Sequence, residues 1–183
     1  MIELIRARDY REQPWKNGGG LTREIAVAFS DDDAKEVLWR VSLATIDRDG
    51  PFSEYRGYDR TIVAIDSDPI ELDVDGNRVM LERCRPHEFR GEARVACRLT
   101  GAATRDLNAM TLRTAFLHDV EIVTSPARFV LDDEEIVFVH AIEGAASVGE
   151  MPCAAGDTIW LEETEAIDVR TGGTAAVIRI TPV

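Results

Sequence analysis

Apolar and polar residues alternate with period two along much of this chain, which predicts strands. In "VLWRVSLATI" (37–46), Trp39, Val41 and Leu43 fall on one face and Arg40, Ser42 and Ala44 on the other. "PIELDVDGNRVML" (69–81) alternates Ile70, Leu72 and Val74 against Glu71, Asp73 and Asp75, then turns at Asp75-Gly76-Asn77. That is a hairpin signal. "AIDVRTGGTAAVIRI" (166–180) predicts a second hairpin about Gly172-Gly173, and "RFVLDDEEIVFVHAI" (128–142) two strands around an acidic turn. Helix signals are confined to Arg8–Gln13 and to the segment after Ser30, where Ser30 is a candidate cap. Thr111 to Pro126 lacks clean alternation and reads as a link between a larger first half and a smaller second one. Many short strands without a strand–helix rhythm predict an all-β sandwich or small barrel.

The second half carries a pattern of its own. "CAAGDTIWLEETEAIDVRTGGTAAVIRI" resembles the second cupin motif: Gly-Asp, a strand, a polar turn and a long hairpin. Metal-binding cupins place a histidine in that turn. Here the turn is Glu162 to Glu165, so the resemblance implies a cupin-like barrel without the usual metal site. No stoichiometric transition metal is expected in the purified protein. One equivalent that disappears with a histidine substitution would overturn that.

Composition narrows the partners. Twenty-one basic against 34 acidic residues give a net charge of −13, which disfavours nucleic acid and anionic membrane. "MIELIRARDY" carries charges where a signal peptide would be apolar, and no run is long enough to cross a bilayer. The expectation is a cytoplasmic protein with no membrane partner. Cys84, Cys97 and Cys153 form no C-x-x-C pair, so free thiols in a reducing compartment are expected.

Three segments stand out chemically. In "PWKNGGGLTREI" (14–25), Lys16 precedes Gly18, Gly19 and Gly20. A phosphate-binding P-loop has the opposite order, and position 23 is Arg where a dinucleotide fingerprint needs glycine. A bulged entry to a strand, or a binding corner displaying Lys16 and Asn17, remains. In "WRVSLATIDRDGPFSEYRGYDR" (39–60), Asp49-Gly50-Pro51 reads as a turn, with Phe52 and Tyr55 on a loop. Arg40 and Ser42 point into the barrel if its mouth is polar, and to solvent if it is not. In "RDLNAMTLR" (105–113), Asp106, Asn108 and Met110 share one strand face, a candidate hydrogen-bonding wall.

Together these three blocks resemble the signature blocks of the HutD/Ves family, over roughly residues 1 to 113, with smaller agreement at "HEFRGE" (87–92). The resemblance implies a cupin-like (RmlC-like) bicupin of double-stranded β-helix barrels with little helix. It places an N-terminal barrel in 1–115 and a smaller half in 116–183. It also implies association with histidine-utilisation genes and, in the Ves branch, with stress. The family's polar motif positions carry over to Lys16, Asn17, Arg40, Ser42, Ser53, Arg60, Asp106, Asn108 and Arg113, with Gly18 and Gly19 as backbone donors. Two departures stand: Tyr55-Arg56 replaces Phe-Pro, and Leu112-Arg113 replaces a doubled arginine. The implied role is sensing or binding a small carboxylate metabolite such as formylglutamate or urocanate, without cofactor. Homodimerisation is the remaining partner expectation. A metal-free isomerase, lyase or hydrolase, or a stress-related interaction module, is the alternative.

Overall fold

A computed structural model describes residues 1–15 and 18–183. The chain divides into two compact units: Arg11–Ala115, and Met1–Tyr10 together with Phe116–Val183. The first ten residues therefore sit with the second half rather than the first. The reason is strand pairing: β1 (Ile2–Ile5) runs antiparallel to β17 (Thr158–Leu161), Ile2 opposite Leu161.

The Arg11–Ala115 unit is built from two antiparallel sheets. One has six strands, in the order β2 (Arg11–Pro14), β3 (Gly20–Phe29), β4 (Val37–Ile46), β11 (Thr104–Leu112), β6 (Tyr58–Ala64) and β9 (His87–Arg90). The other has four: β5 (Gly50–Pro51), β10 (Val95–Leu99), β7 (Ile70–Val74) and β8 (Asn77–Leu81). Ile46, Ile62, Ala64, Ile70, Leu72, Leu81 and Phe89 form its core. Burying each large aliphatic side chain contributes about 1.5–3 kcal/mol.

The second unit has the same two-sheet plan. Five strands run β1, β17, β14 (Ile136–Glu143), β19 (Thr174–Pro182) and β12 (Phe116–Val123). Four more run β13 (Ala127–Val130), β18 (Ala166–Thr171), β15 (Ala146–Val148) and β16 (Met151–Cys153). Its core includes Phe129, Val137, Val139, Ile159, Ile167 and Val177.

The 70–81 hairpin forms as read, with Asp75 and Gly76 both at positive φ (51° and 84°), as a tight two-residue connection requires. The 166–180 segment does not form a hairpin. β18 pairs with β13 and β15, whereas β19 pairs with β12 and β14, so Gly172-Gly173 carries the chain from one sheet to the other. A Cβ on Gly173 would run into the Glu143 carbonyl, which explains the glycine.

Neither expected helix forms. Arg8–Gln13 holds a three-residue 3-10 turn (Ala7–Asp9) and then β2. After Ser30 the chain makes a turn in which the Ser30 hydroxyl donates to Asp32 Oδ1 (2.7 Å) and accepts from the Glu36 amide (2.9 Å). Ser30 satisfies a turn and not a helix end, a competition usual for serine beside aspartate. The link expected over Thr111–Pro126 is mostly β11 and β12 around a short turn. Gly50-Pro51, expected within a turn, pairs briefly with β10. No helix among the described residues is long and apolar enough to cross a membrane.

Candidate functional site

Register on the six-stranded sheet brings distant residues into rows on one face. Met110 of β11 lies opposite Arg40 of β4 on one side and Arg60 of β6 on the other. Asn108 lies opposite Ser42 and Ile62, and Asp106 opposite Ala44 and Ala64, with Thr22 of β3 opposite Ala44. Cross-strand partners point to the same side. The rows thus run from two arginines, through Ser42 and Asn108, to Asp106 beside the apolar core.

These residues line a cavity of about 570 Å³, within the range of small-molecule sites, about 300–1,000 Å³. Its rim is aromatic: Trp15 follows β2, and Phe52 and Tyr55 come from the loop between β5 and β6. Trp15 donates to Thr22 Oγ1 (2.8 Å) and meets the Phe52 ring edge-on at 6.3 Å. Backbone bonds fix the loop: the Phe52 amide donates to Val95 O (2.8 Å) and the Tyr55 amide to Gly91 O (2.7 Å).

Arg60 is 8% exposed. Its Nη2 donates to Asn108 Oδ1 at 2.9 Å and its Nη1 to the Ser53 carbonyl at 3.4 Å. Its guanidinium carbon lies 4.9 Å from the Phe89 ring centre and 5.4 Å from that of Tyr55, within cation–π range. Burial pulls the Arg60 guanidinium down to about 10. Arg40 packs over Tyr55 at 5.4 Å and donates to its hydroxyl at 3.3 Å. Burial alone would push the Tyr55 phenol up, but the hydrogen bond and charge of Arg40, with Arg60, outweigh it and hold the phenol below its ordinary value. Neither arginine forms an ion pair among the described residues. In a chain of net charge −13, that makes this cavity locally cationic.

Asp106, 1% exposed, lies deepest. Asn108 Nδ2 donates to its Oδ1, and its Oδ2 is buried with no partner among the described residues. Burial pushes the carboxyl up to about 7, against the opposing pull of Arg60 and the Asn108 hydrogen bond.

Of the residues predicted from sequence, Arg40, Ser42, Ser53, Arg60, Asp106 and Asn108 line the cavity together. Arg113 does not. It donates to Asp59 Oδ1 (3.0 Å), Glu92 Oε2 (3.2 Å) and the Tyr58 carbonyl (2.9 Å), tying β11 to the start of β6. Lys16 and Asn17 lie outside the described residues. Gly18 and Gly19 are not on the cavity lining. Gly18 has φ +65°, its amide donates to Trp15 O (2.9 Å), and its carbonyl accepts from Arg48. Thr22 and Gln13 carry no local signal of a site; only β2–β3–β4 pairing brings them to the cavity. None of the three cysteines is in a disulfide. Among the described residues no cluster of three or more His, Cys, Asp or Glu side chains could hold a metal ion.

Paired antiparallel β units with a polar cavity inside one of them define a cupin-like protein. At the level of fold the chain is similar to the cupin 2 conserved barrel domain protein of Leptotrichia buccalis (TM-score 0.60, 9% identity, covering 99% of this chain and 96% of that one). The chain belongs to the HutD family, whose model matches residues 7–178. A structure of HutD from Pseudomonas fluorescens SBW25, described as a formate condition, superposes with TM-score 0.91 at 30% identity over 100% of both chains. An uncharacterized 21.2 kDa Pseudomonas putida protein of the hutC 3' region is 42% identical over 109 residues, 58% of this chain and 56% of that one. The match thus spans little more than half of that relative. Protein Ves of Citrobacter koseri is 31% identical over 147 residues, 78% of this chain and 75% of its own length.

Proposed function

We propose that this protein binds a small carboxylate metabolite of histidine degradation, formylglutamate-like, in the Arg11–Ala115 cavity, and acts as a metal-free cytoplasmic sensor rather than a catalyst. The observation that carries this reading is the pair of arginines, Arg40 and Arg60, sharing one cavity with neither in a direct ion pair among the described residues. Arginine forks match carboxylates in a bidentate manner. Asn108 and Asp106 supply hydrogen-bonding groups for a formyl or imidazole end of the ligand. Lys16, from the sequence motif, is the third candidate cation.

Calorimetric titration with N-formylglutamate and urocanate tests the reading. A charge-assisted hydrogen bond contributes about 1.5–3 kcal/mol, so Arg40→Ala and Lys16→Ala should each weaken binding about ten- to a hundredfold. Lys35→Ala, on the exposed turn after Ser30, should leave it unchanged. If neither compound binds the wild type, the ligand class is wrong. If all three variants bind equally, the cations are structural.

The position of Asp106 favours one second reading, an enzyme on the same acid. A buried carboxyl held near neutrality suits proton transfer. Turnover of either compound, abolished in Asp106→Asn, would replace the sensor with that enzyme.

A further inference from the structure

The hydrogen-bond chain across the cavity has a fixed direction. Arg60 can only donate, so Asn108 must turn its oxygen toward it and its NH2 toward Asp106. Asp106 Oδ1 is thereby committed as an acceptor. Oδ2 is left as a buried oxygen with no partner among the described residues, on a side chain that lines the cavity. If Asp106 holds a proton, Oδ2 is the atom free to carry it.

We propose that Asp106 Oδ2 carries a proton into the complex and donates it to a carboxylate oxygen of the ligand, so that the cavity takes up a small carboxylate together with one proton. This rests on the carboxylate reading above and adds the group that selects for it. The chemistry is balanced without a co-reactant: one solvent proton moves onto Asp106, and an O–H···O⁻ hydrogen bond forms. Bonds of that kind are short and about twice as strong as neutral ones. An incoming carboxylate also disfavours a second negative charge beside it, which drives the proton onto Asp106.

The groups around Asp106 are consistent with this. Arg60 on β6 is the charge that favours its ionised form, helped by the Asn108 hydrogen bond, while Arg40 on β4 faces Arg60 and Tyr55. On β10, Cys97 carries a thiol pushed up by burial, with Asp106 and Asp49 adding to it. Glu24 on β3 lies in the Ser42 row, and Tyr55 faces Arg60 from the loop. Ala44, Ala64 and Thr22 fill the Asp106 row itself. Burial outweighs Arg60 and the Asn108 hydrogen bond, leaving the carboxyl at about 7, where it can be loaded with a proton at modest cost.

Titration with N-formylglutamate and with glutarate, from about pH 6 to 9 in phosphate and in Tris, tests the proposal. The two buffers differ in ionisation enthalpy, so proton uptake appears as a buffer-dependent heat. The wild type should bind with uptake approaching one proton above pH 8. Affinity should fall about tenfold per pH unit above 7, because only the protonated fraction binds. Asp106→Asn places an amide donor where the proton would be, and should bind with neither pH dependence nor uptake. Constant affinity and no uptake in the wild type would overturn the proposal while leaving the carboxylate reading intact. Undiminished uptake in Asp106→Asn would assign the proton elsewhere and overturn it too. Failure of both compounds to bind at any pH would remove the carboxylate reading and this proposal with it.

Discussion

Asp106→Asn is expected to stabilise the ligand-free protein by about 3 kcal/mol at pH 8 and to destabilise it slightly, by up to about 1 kcal/mol, near pH 4. The carboxyl is 1% exposed and its pKa is raised to about 7 by burial, so the folded state holds its proton more tightly than the unfolded chain does. For an acid shifted in that direction, stability is highest below the unfolded pKa of about 4. It falls as pH rises toward 7 and is flat above. At about 1.4 kcal/mol per pH unit, the ionised carboxylate lowers stability by roughly 4 kcal/mol over that window. Asparagine removes the penalty but puts an NH2 with no partner among the described residues where Oδ2 was, which takes back about 1 kcal/mol. Urea unfolding of both proteins at pH 4 and pH 8 measures it. Equal midpoints at pH 8 would mean that Asp106 ionises without penalty. A group that destabilises the resting protein at neutral pH is what a site kept for binding would show.

Much of that site is legible in the sequence because a strand has period two. Trp39 to Ala44 and Asp106 to Met110 each assign their residues to faces correctly. What alternation cannot decide is which face looks inward, since Val41, Leu43 and Leu107 are as buried as Ser42 and Asp106. Both faces of this sheet are covered, so a polar face does not mean a solvent face. Arg60 sits in the buried run "YDRTIVA", where its cation–π packing on Phe52, Tyr55 and Phe89 has no local signature. Arg113 resembles the other motif cations, but Asp59 and Glu92, distant in sequence, hold it. The turn at Gly172-Gly173 has a hairpin's composition, yet pairing partners are chosen by tertiary packing, and here the two strands enter different sheets. The N-terminal strand escapes a local reading for the same reason, because its partner lies beyond residue 150.

Gly20→Ala is expected to destabilise the protein by about 3 kcal/mol, lowering the melting temperature by roughly 6–12 °C. The run of glycines after Asn17 meets separate requirements. Gly18 needs positive φ (+65°), which alanine tolerates poorly. Gly20 lies outside that region of φ, so its requirement is space. A Cβ there would lie closer than 3.0 Å to the Thr45 carbonyl oxygen and at 3.1 Å from two ring carbons of Trp15. The first obstacle is backbone on the neighbouring strand, so no rotamer change relieves it. β3 must move away from β4, straining the pairing of Gly20 with Ile46 and of Thr22 with Ala44. The second obstacle is a rim residue of the cavity, whose indole is tied to Thr22 at 2.8 Å. Displacing it should also weaken binding of N-formylglutamate by about tenfold, an effect on the order of 1.4 kcal/mol. Gly76→Ala is the control: no atom lies within 4 Å of the place its Cβ would take, and although its φ of +84° brings strain, that strain sits in an exposed turn away from the cavity. It should lower stability modestly and leave binding untouched. If Gly20→Ala unfolds with the wild-type midpoint, the close approach of β3 to β4 is not what holds the corner.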